Sequence, residues 1–207
     1  MRIGIIGSGN MGKALGTTWA RAGHEVLFSF SRDWSKLEQL AKDAGNGAVA
    51  ATVAEAAGAD VVLLAVLWHT LDDVLAQAGS LEGKTLLSCT MPMNEDDSAM
   101  VIGFDSSGSE VLAQKTGANV VSLFNSVWAE VIEERMTSQE PAPSVLYVGD
   151  DIHAKATAAQ LMRDAGFEPV DAGPLADARL LEPFGFLIGK LGFANGPLTT
   201  AYRFVKP

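Results

Sequence analysis

Short apolar runs alternate with longer amphipathic stretches along the chain, and that rhythm predicts a parallel sheet covered by helices on both faces. The runs read as strands over 2–6, 25–30, 61–66, 85–89, 120–124 and 145–148, with shorter ones over 48–50 and 169–171. Between the first two, Met11, Leu15, Trp19 and Ala22 recur at three- and four-residue steps, marking one face of a helix laid against the sheet. Leu37, Leu40 and Ala41 mark a second helix over 35–44, with Gly45 as its stop. Later helices are predicted over 69–77, 109–115, 126–136, 152–165 and 176–191. Residues 91–108 and 137–143 lack apolar periodicity and read as loops. The first of these follows the C-terminal end of a strand, where open parallel sheets bind their ligands.

Composition narrows the picture. The 207 residues suffice for one substantial core with a modest appendage, and the 48% hydrophobic content is that of a compact globular chain rather than a disordered one. A net charge of −10 without a basic cluster argues against nucleic acid as a partner. A lone cysteine, Cys89, fits a reducing compartment, so the cytoplasm is the default expectation. Neither a signal-peptide core nor an apolar run long enough to span a bilayer is visible, so no membrane association is expected.

The segment Gly7-Ser8-Gly9-Asn10-Met11-Gly12 follows the first strand and opens the first helix. Gly7 permits a tight turn, Gly9 lets backbone N–H groups approach a pyrophosphate, and Gly12 lets the helix lie close to the strand. The helix N-terminus adds partial positive charge, which makes an anion site without any basic side chain. These features predict a Rossmann-type, doubly wound, mostly parallel α/β sheet. Residues 1–136 would form the dinucleotide-binding domain, and 144–207 a C-terminal α/β extension packed on the same sheet.

The second strand should end beside the adenine ribose, where the chain reads Ser31-Arg32-Asp33. Arg32 offers fixed charge and a fork of donors to a 2'-phosphate, Ser31 a hydroxyl, and Lys36 a second cation one turn onward, all favouring NADP(H). Asp33 is the rival, because a carboxylate there would take the ribose hydroxyls and select NAD(H).

At these residues the chain resembles the coenzyme F420-dependent NADP oxidoreductases and their bacterial dinucleotide-binding relatives. The likeness is carried by 4–12, Ser31-Arg32, Leu67-Trp68-His69, Phe124-Asn125-Ser126 and 171–180. It implies that Ser31 and Arg32 contact the 2'-phosphate and that Ala65, Val66, Leu67 and Trp68 line the nicotinamide side. It also implies that the segment carrying Thr90 and Pro92 borders a second cofactor, coenzyme F420 or a flavin. The archaeal members carry Pro-Trp where this chain has Leu67-Trp68, and the match around Thr90 is poor.

Hydride transfer between bound cofactors needs orientation and a dry cleft more than an acid or base. No side chain is assigned as a catalytic acid, base or metal ligand. His69 reads either as a substrate contact or as a structural helix start, and His24 and His153 as surface residues. Cys89 reads as a small apolar residue, Trp68 and Trp128 as ring-stacking or packing residues. Asn125 reads as a partner for the nicotinamide carboxamide or for substrate, or as a helix cap. The substrate side is therefore expected at Trp68, His69, Pro92 and Asn125. Leu180, Leu181, Phe184, Phe186, Leu187, Ile188, Leu191 and Phe193 give the last helix more apolar surface than one stripe needs, which suggests a homodimer. The leading expectation is an NADP(H)-dependent oxidoreductase passing hydride to a flavin-like, deazaflavin or small organic acceptor. The alternative is a non-catalytic NADP(H) sensor or scaffold, and an imine reductase would be expected to continue into a long helical dimerisation domain.

Overall fold

The computed structural model describes residues 1–195 and 201–205. Eight strands form one sheet in the order β3-β2-β1-β4-β5-β6-β7-β8. They are β1 (Arg2–Ile6), β2 (Glu25–Ser29), β3 (Val49–Ala50), β4 (Val61–Leu64), β5 (Thr85–Ser88), β6 (Asn119–Leu123), β7 (Ser144–Gly149) and β8 (Glu168–Asp171). Neighbours run parallel except β6 and β7, which are antiparallel. β1 lies between β2 and β4, so the chain winds one way through β2 and β3 and then returns across β1 to begin the other half. The crevice at that reversal is where such sheets take ligands.

The helices are α1 (Asn10–Arg21), α2 (Trp34–Ala44), α3 (Val53–Ala57), α4 (Leu71–Ala78), α5 (Gly108–Thr116), α6 (Ala129–Arg135), α7 (Ile152–Asp164) and α8 (Ala178–Asn195). One core packs α1, α2, α6 and α7 against the sheet around Trp19, Phe28 and Leu63. A second, on the opposite face, gathers α3, α4 and α5 around Leu64, Val74 and Leu86. Strands buried on both faces explain the near-continuous apolar runs in the sequence. Trp19 is fully buried and satisfies its indole by donating from Nε1 to the Leu161 carbonyl at 2.8 Å, which ties α1 to α7.

Several expectations are corrected. Helix α3 was not anticipated, because five residues are too few for periodicity to register. Its start was nonetheless written in Thr52-x-x-Glu55, whose hydroxyl and carboxylate cap each other's backbone N–H. Ser126 does not begin a helix: 125–126 is a turn and α6 starts only at Ala129. His69 lies in a 3-10 turn, Trp68–Thr70, and the α-helix begins only at Leu71. Ala22 is exposed rather than packed, since α1 ends one residue earlier. His24 is no free surface residue. Its side chain is 11% exposed and its Nε2 lies 2.9 Å from Asp164 Oδ2, linking the start of β2 to the end of α7. The side chain of Phe193 lies outside the described residues.

Candidate functional site

The glycine loop sits at the C-terminal end of β1, over the sheet reversal. Gly7 has φ +116°, and a Cβ there would stand 2.2 Å from the Ala65 carbonyl oxygen. A Cβ on Gly12 would stand 1.8 Å from the carbonyl oxygen of Gly7. Both glycines are thus required by the fold itself. Gly9 is different: its φ of −72° suits any residue, and a Cβ would meet nothing within 4 Å. Gly9 is the N-cap of α1, no side chain caps that helix, and its first turn carries no acidic residue. Helices ordinarily satisfy these first N–H groups with a side chain, so the open cap fits an external anion such as a diphosphate.

A cavity of about 760 Å³ runs from this loop over the end of β2. Of the residues expected at the coenzyme, Gly7, Ser8, Gly9, Ser31, Arg32, Ala65, Val66 and Leu67 line it, and His69, expected on the substrate side, lines it too. Asn10, Met11, Gly12, Lys36, Trp68, Thr90 and Asn125 do not. The walls also include Phe30, Trp34, Thr52, Thr70, Asp73 and Gln77, none of which the sequence reading named. Phe30 leaves β2 with φ +60°, an unusual conformation for a bulky residue, and its carbonyl accepts from the Ser8 hydroxyl at 3.1 Å. That kink turns Ser31 and Arg32 toward the cavity.

Arg32 is exposed and, among the described residues, forms no ion pair. Asp33 is already engaged. Its Oδ1 caps α2 by accepting from the Ser35 backbone N–H at 3.0 Å and the Ser35 hydroxyl at 2.7 Å, and the hydroxyl bond holds its carboxyl below the usual range.

The second group of expected residues lies one strand further on. The Thr90 hydroxyl accepts from the Val66 N–H at 3.3 Å and donates to the Leu64 carbonyl at 3.4 Å, so it is a seam between β4 and β5 rather than a free donor. Cys89 behaves as a small apolar group, with burial pushing its thiol up to about 12. Pro92 is buried, and with Trp68 it closes on Gly108, where a Cβ would lie 3.1 Å from the proline ring and 3.2 Å from the indole.

Beyond this wall a mainly apolar cleft of about 570 Å³ opens between the 91–98 loop, Asn125, Trp128 and helix α8. Phe124, with φ +56°, swings Asn125 off the end of β6. The Asn125 Oδ1 accepts from the Ser122 hydroxyl at 3.1 Å, while its buried Nδ2 has no partner among the described residues. Asn125 and Trp128 were legible as candidates; the helix-α8 wall, some 60 residues away in the chain, was not.

The segment 171–180 delivers a structural clasp. Arg179 donates to both oxygens of Glu110, at 2.7 and 2.9 Å, and holds that carboxyl below its usual range. One helical turn on, the buried Glu182 carboxylate accepts from the backbone N–H groups of Gly108 and Ser109 and from the Ser109 hydroxyl, at 2.8 to 2.9 Å. Burial pushes Glu182 up in pKa, against those three bonds. Together these contacts dock α8 on the N-terminus of α5 and so fix the Gly108 side of the Trp68–Pro92 wall.

Comparison with known proteins places this geometry. Residues 2–92 match the family described as NADP oxidoreductase, coenzyme F420-dependent. Metalloreductase STEAP3 of Rattus norvegicus is 29% identical over 184 residues, which is 87% of this chain, and the chain spans 36% of that relative's length. A crystal structure from Arthrobacter sp. FB24, described as a candidate F420-dependent NADP-reductase, superposes with a TM-score of 0.88 at 24% identity, covering 100% of both chains. An imine reductase from Myxococcus stipitatus in complex with NADP+ superposes with a TM-score of 0.70 at 21% identity, over 94% of this chain and 62% of that one.

Proposed function

From the match of residues 2–92 to the coenzyme F420-dependent NADP oxidoreductase family we propose that the protein is an NADPH-dependent oxidoreductase whose coenzyme and oxidant occupy neighbouring cavities. The observation that carries the reading is the start of α1 at Gly9, which no side chain caps, opening into the same cavity as Arg32, which forms no ion pair among the described residues. The loop N–H groups bind the diphosphate, with Asn10, Met11 and Gly12 supplying the first turn of the helix. Ser31 and Arg32, with Lys36 one turn on, take the 2'-phosphate. Asp33 is committed to capping α2, which supports NADP(H) over NAD(H). Ala65, Val66 and Leu67 wall the nicotinamide side, backed by Trp68 and Thr90, with His69 at the rim of the coenzyme cavity.

The nicotinamide supplies the hydride. The chain's part is to orient the ring, exclude water and leave one face toward the cleft beside Pro92 and Asn125, where a flavin-like, deazaflavin or small organic acceptor would sit. No acid or base is invoked, because no titratable side chain lines the buried part of that cleft. That separate, mostly apolar cleft is also what favours an enzyme over a sensor or scaffold, which would need the first cavity alone.

Titration calorimetry with the four nicotinamide coenzymes, followed by NADPH oxidation with a panel of oxidants, tests both parts. Tight NADPH binding with turnover of one oxidant supports the reading. Binding without any turnover returns the protein to the sensor class, and no binding at millimolar coenzyme removes the proposal.

A further inference from the structure

The two phosphate contacts described above fix which half of the coenzyme lies where. With the diphosphate at Gly9 and the 2'-phosphate at Arg32, the ribose between them carries its base on the carbon next to the phosphorylated one, so the adenine falls beside Arg32. The cavity that takes in Arg32 is also lined by Trp34, which follows β2, and by Thr70, Asp73 and Gln77, which follow β4. Strands β2 and β4 pair with the two edges of β1, so these residues flank the crevice above β1 from either side.

Trp34 is 49% exposed, a large aromatic surface left open at the first position of a helix. Its place is nevertheless fixed. Asp33 caps the helix directly before it, and the indole Nε1 donates to Glu38 Oε1 at 3.0 Å, one turn on. With its single donor spent there, the ring offers the cavity an apolar face, the kind of platform on which a nucleobase stacks. The other rings of the cavity are less suited. Phe30 is half-buried against the second core, and His69 follows Leu67 on the side assigned to the nicotinamide. The α4 wall supplies an acceptor. The Thr70 hydroxyl donates to the Leu67 carbonyl at 2.8 Å, and Gln77 Nε2 donates to Asp73 Oδ2 at 3.1 Å. Asp73 is exposed, and its Oδ1 has no partner among the described residues. A carboxylate oxygen can only accept, and the adenine 6-amino group can only donate.

We propose that the adenine of NADPH stacks on the Trp34 indole and donates from its 6-amino group to Asp73, so that these two residues set the base specificity of the coenzyme site. The proposal rests on the oxidoreductase reading above and adds to it what holds the base. Neither residue touches the reacting end of the coenzyme, so both act on its affinity and not on the hydride step.

The test is calorimetric titration with adenosine 2'-monophosphate, the adenine end of the coenzyme alone, and with NADP+ against 1,N6-etheno-NADP+, which keeps a flat base and loses the amino donor. Trp34→Leu should weaken adenosine 2'-monophosphate roughly fivefold to fiftyfold, while Trp34→Phe, which keeps a stacking face, should stay within about threefold of wild type. Wild type should bind NADP+ roughly threefold to tenfold more tightly than the etheno analogue, and in Asp73→Ala that gap should close to within about twofold. A Trp34→Leu protein that binds adenosine 2'-monophosphate like wild type, or a Trp34→Phe protein as weak as Trp34→Leu, would overturn the stacking. A gap between the two dinucleotides that survives in Asp73→Ala would overturn the amino contact. NADPH titration of wild type separates the two readings: absence of binding sinks the oxidoreductase itself, whereas tight binding that Trp34→Leu does not weaken sinks only the adenine assignment.

Discussion

Two glycines of one loop should respond in opposite ways to the same added methyl group. At Gly12 the new Cβ would stand 1.8 Å from the Gly7 carbonyl, so α1 and β1 must separate by more than an ångström. Overpacking of that kind costs about 1–3 kcal/mol, and a domain of this size loses about 2–4 °C of melting temperature per kcal/mol, giving a fall of roughly 2–12 °C for Gly12→Ala. At Gly9 nothing lies within 4 Å, and the backbone at φ −72°, ψ −171° accepts alanine. The entropy removed from the unfolded chain, about 0.4–1 kcal/mol, is offset by alanine's poorer capping, so Gly9→Ala should melt within about 2 °C of wild type. Its methyl would nevertheless hold a diphosphate out of reach of the first-turn N–H groups. Losing one charge-assisted hydrogen bond costs about 1.5–3 kcal/mol, so NADPH should bind roughly 10- to 150-fold more weakly. Calorimetric melting of the free protein and NADPH titration of each variant measure the two effects separately. A Gly9→Ala protein that binds NADPH like wild type would place the diphosphate elsewhere.

Arg32→Ala should weaken NADPH by roughly 10- to 100-fold and NADH by less than about twofold, since only the former carries the phosphate; equal losses would remove Arg32 from the 2'-phosphate site. Glu182→Ala strands two backbone donors and a hydroxyl at the start of α5, and should cost about 3 kcal/mol by urea denaturation, with a change under about 1 kcal/mol refuting the clasp. Arg179 holds the Glu110 carboxyl below the usual glutamate range, so its contribution to stability is present in full above that range and is lost as the pH falls through the lowered value. Wild type should therefore lose more stability between neutral and strongly acidic pH than Glu110→Gln does, and parallel acid-melting curves would deny the pair a role.

How much of this was legible depended on how far apart the cooperating residues lie in the chain. The glycine loop and the end of β2 are read off a few consecutive residues, so their place in one cavity follows from a single βαβ unit. Phe30 escaped because its carbonyl and its left-handed turn shape the cavity, and neither depends on a recognisable side chain. Asn10 to Gly12 were legible as a motif, yet their side-chain positions stand behind the loop instead of lining the cavity. Thr90 was expected beside a second cofactor, and nothing local reveals that its hydroxyl is engaged by Leu64 and Val66 at the end of the neighbouring strand. Phe186 and Leu187 are adjacent apolar residues of α8, yet one lines the cleft and the other is largely exposed, a division set by tertiary docking through Arg179 and Glu182.

The two cavities draw on separate stretches of chain. Every wall of the first comes from residues 7–77 and every wall of the second from residues 91–194, and no residue serves both. Changes in the C-terminal part can therefore reshape what is accepted without disturbing the grip on the nucleotide. On the proposed function, that partition would let the electron donor stay fixed while the oxidant changes. The match over residues 2–92 covers all of the first cavity and only Met91 of the second.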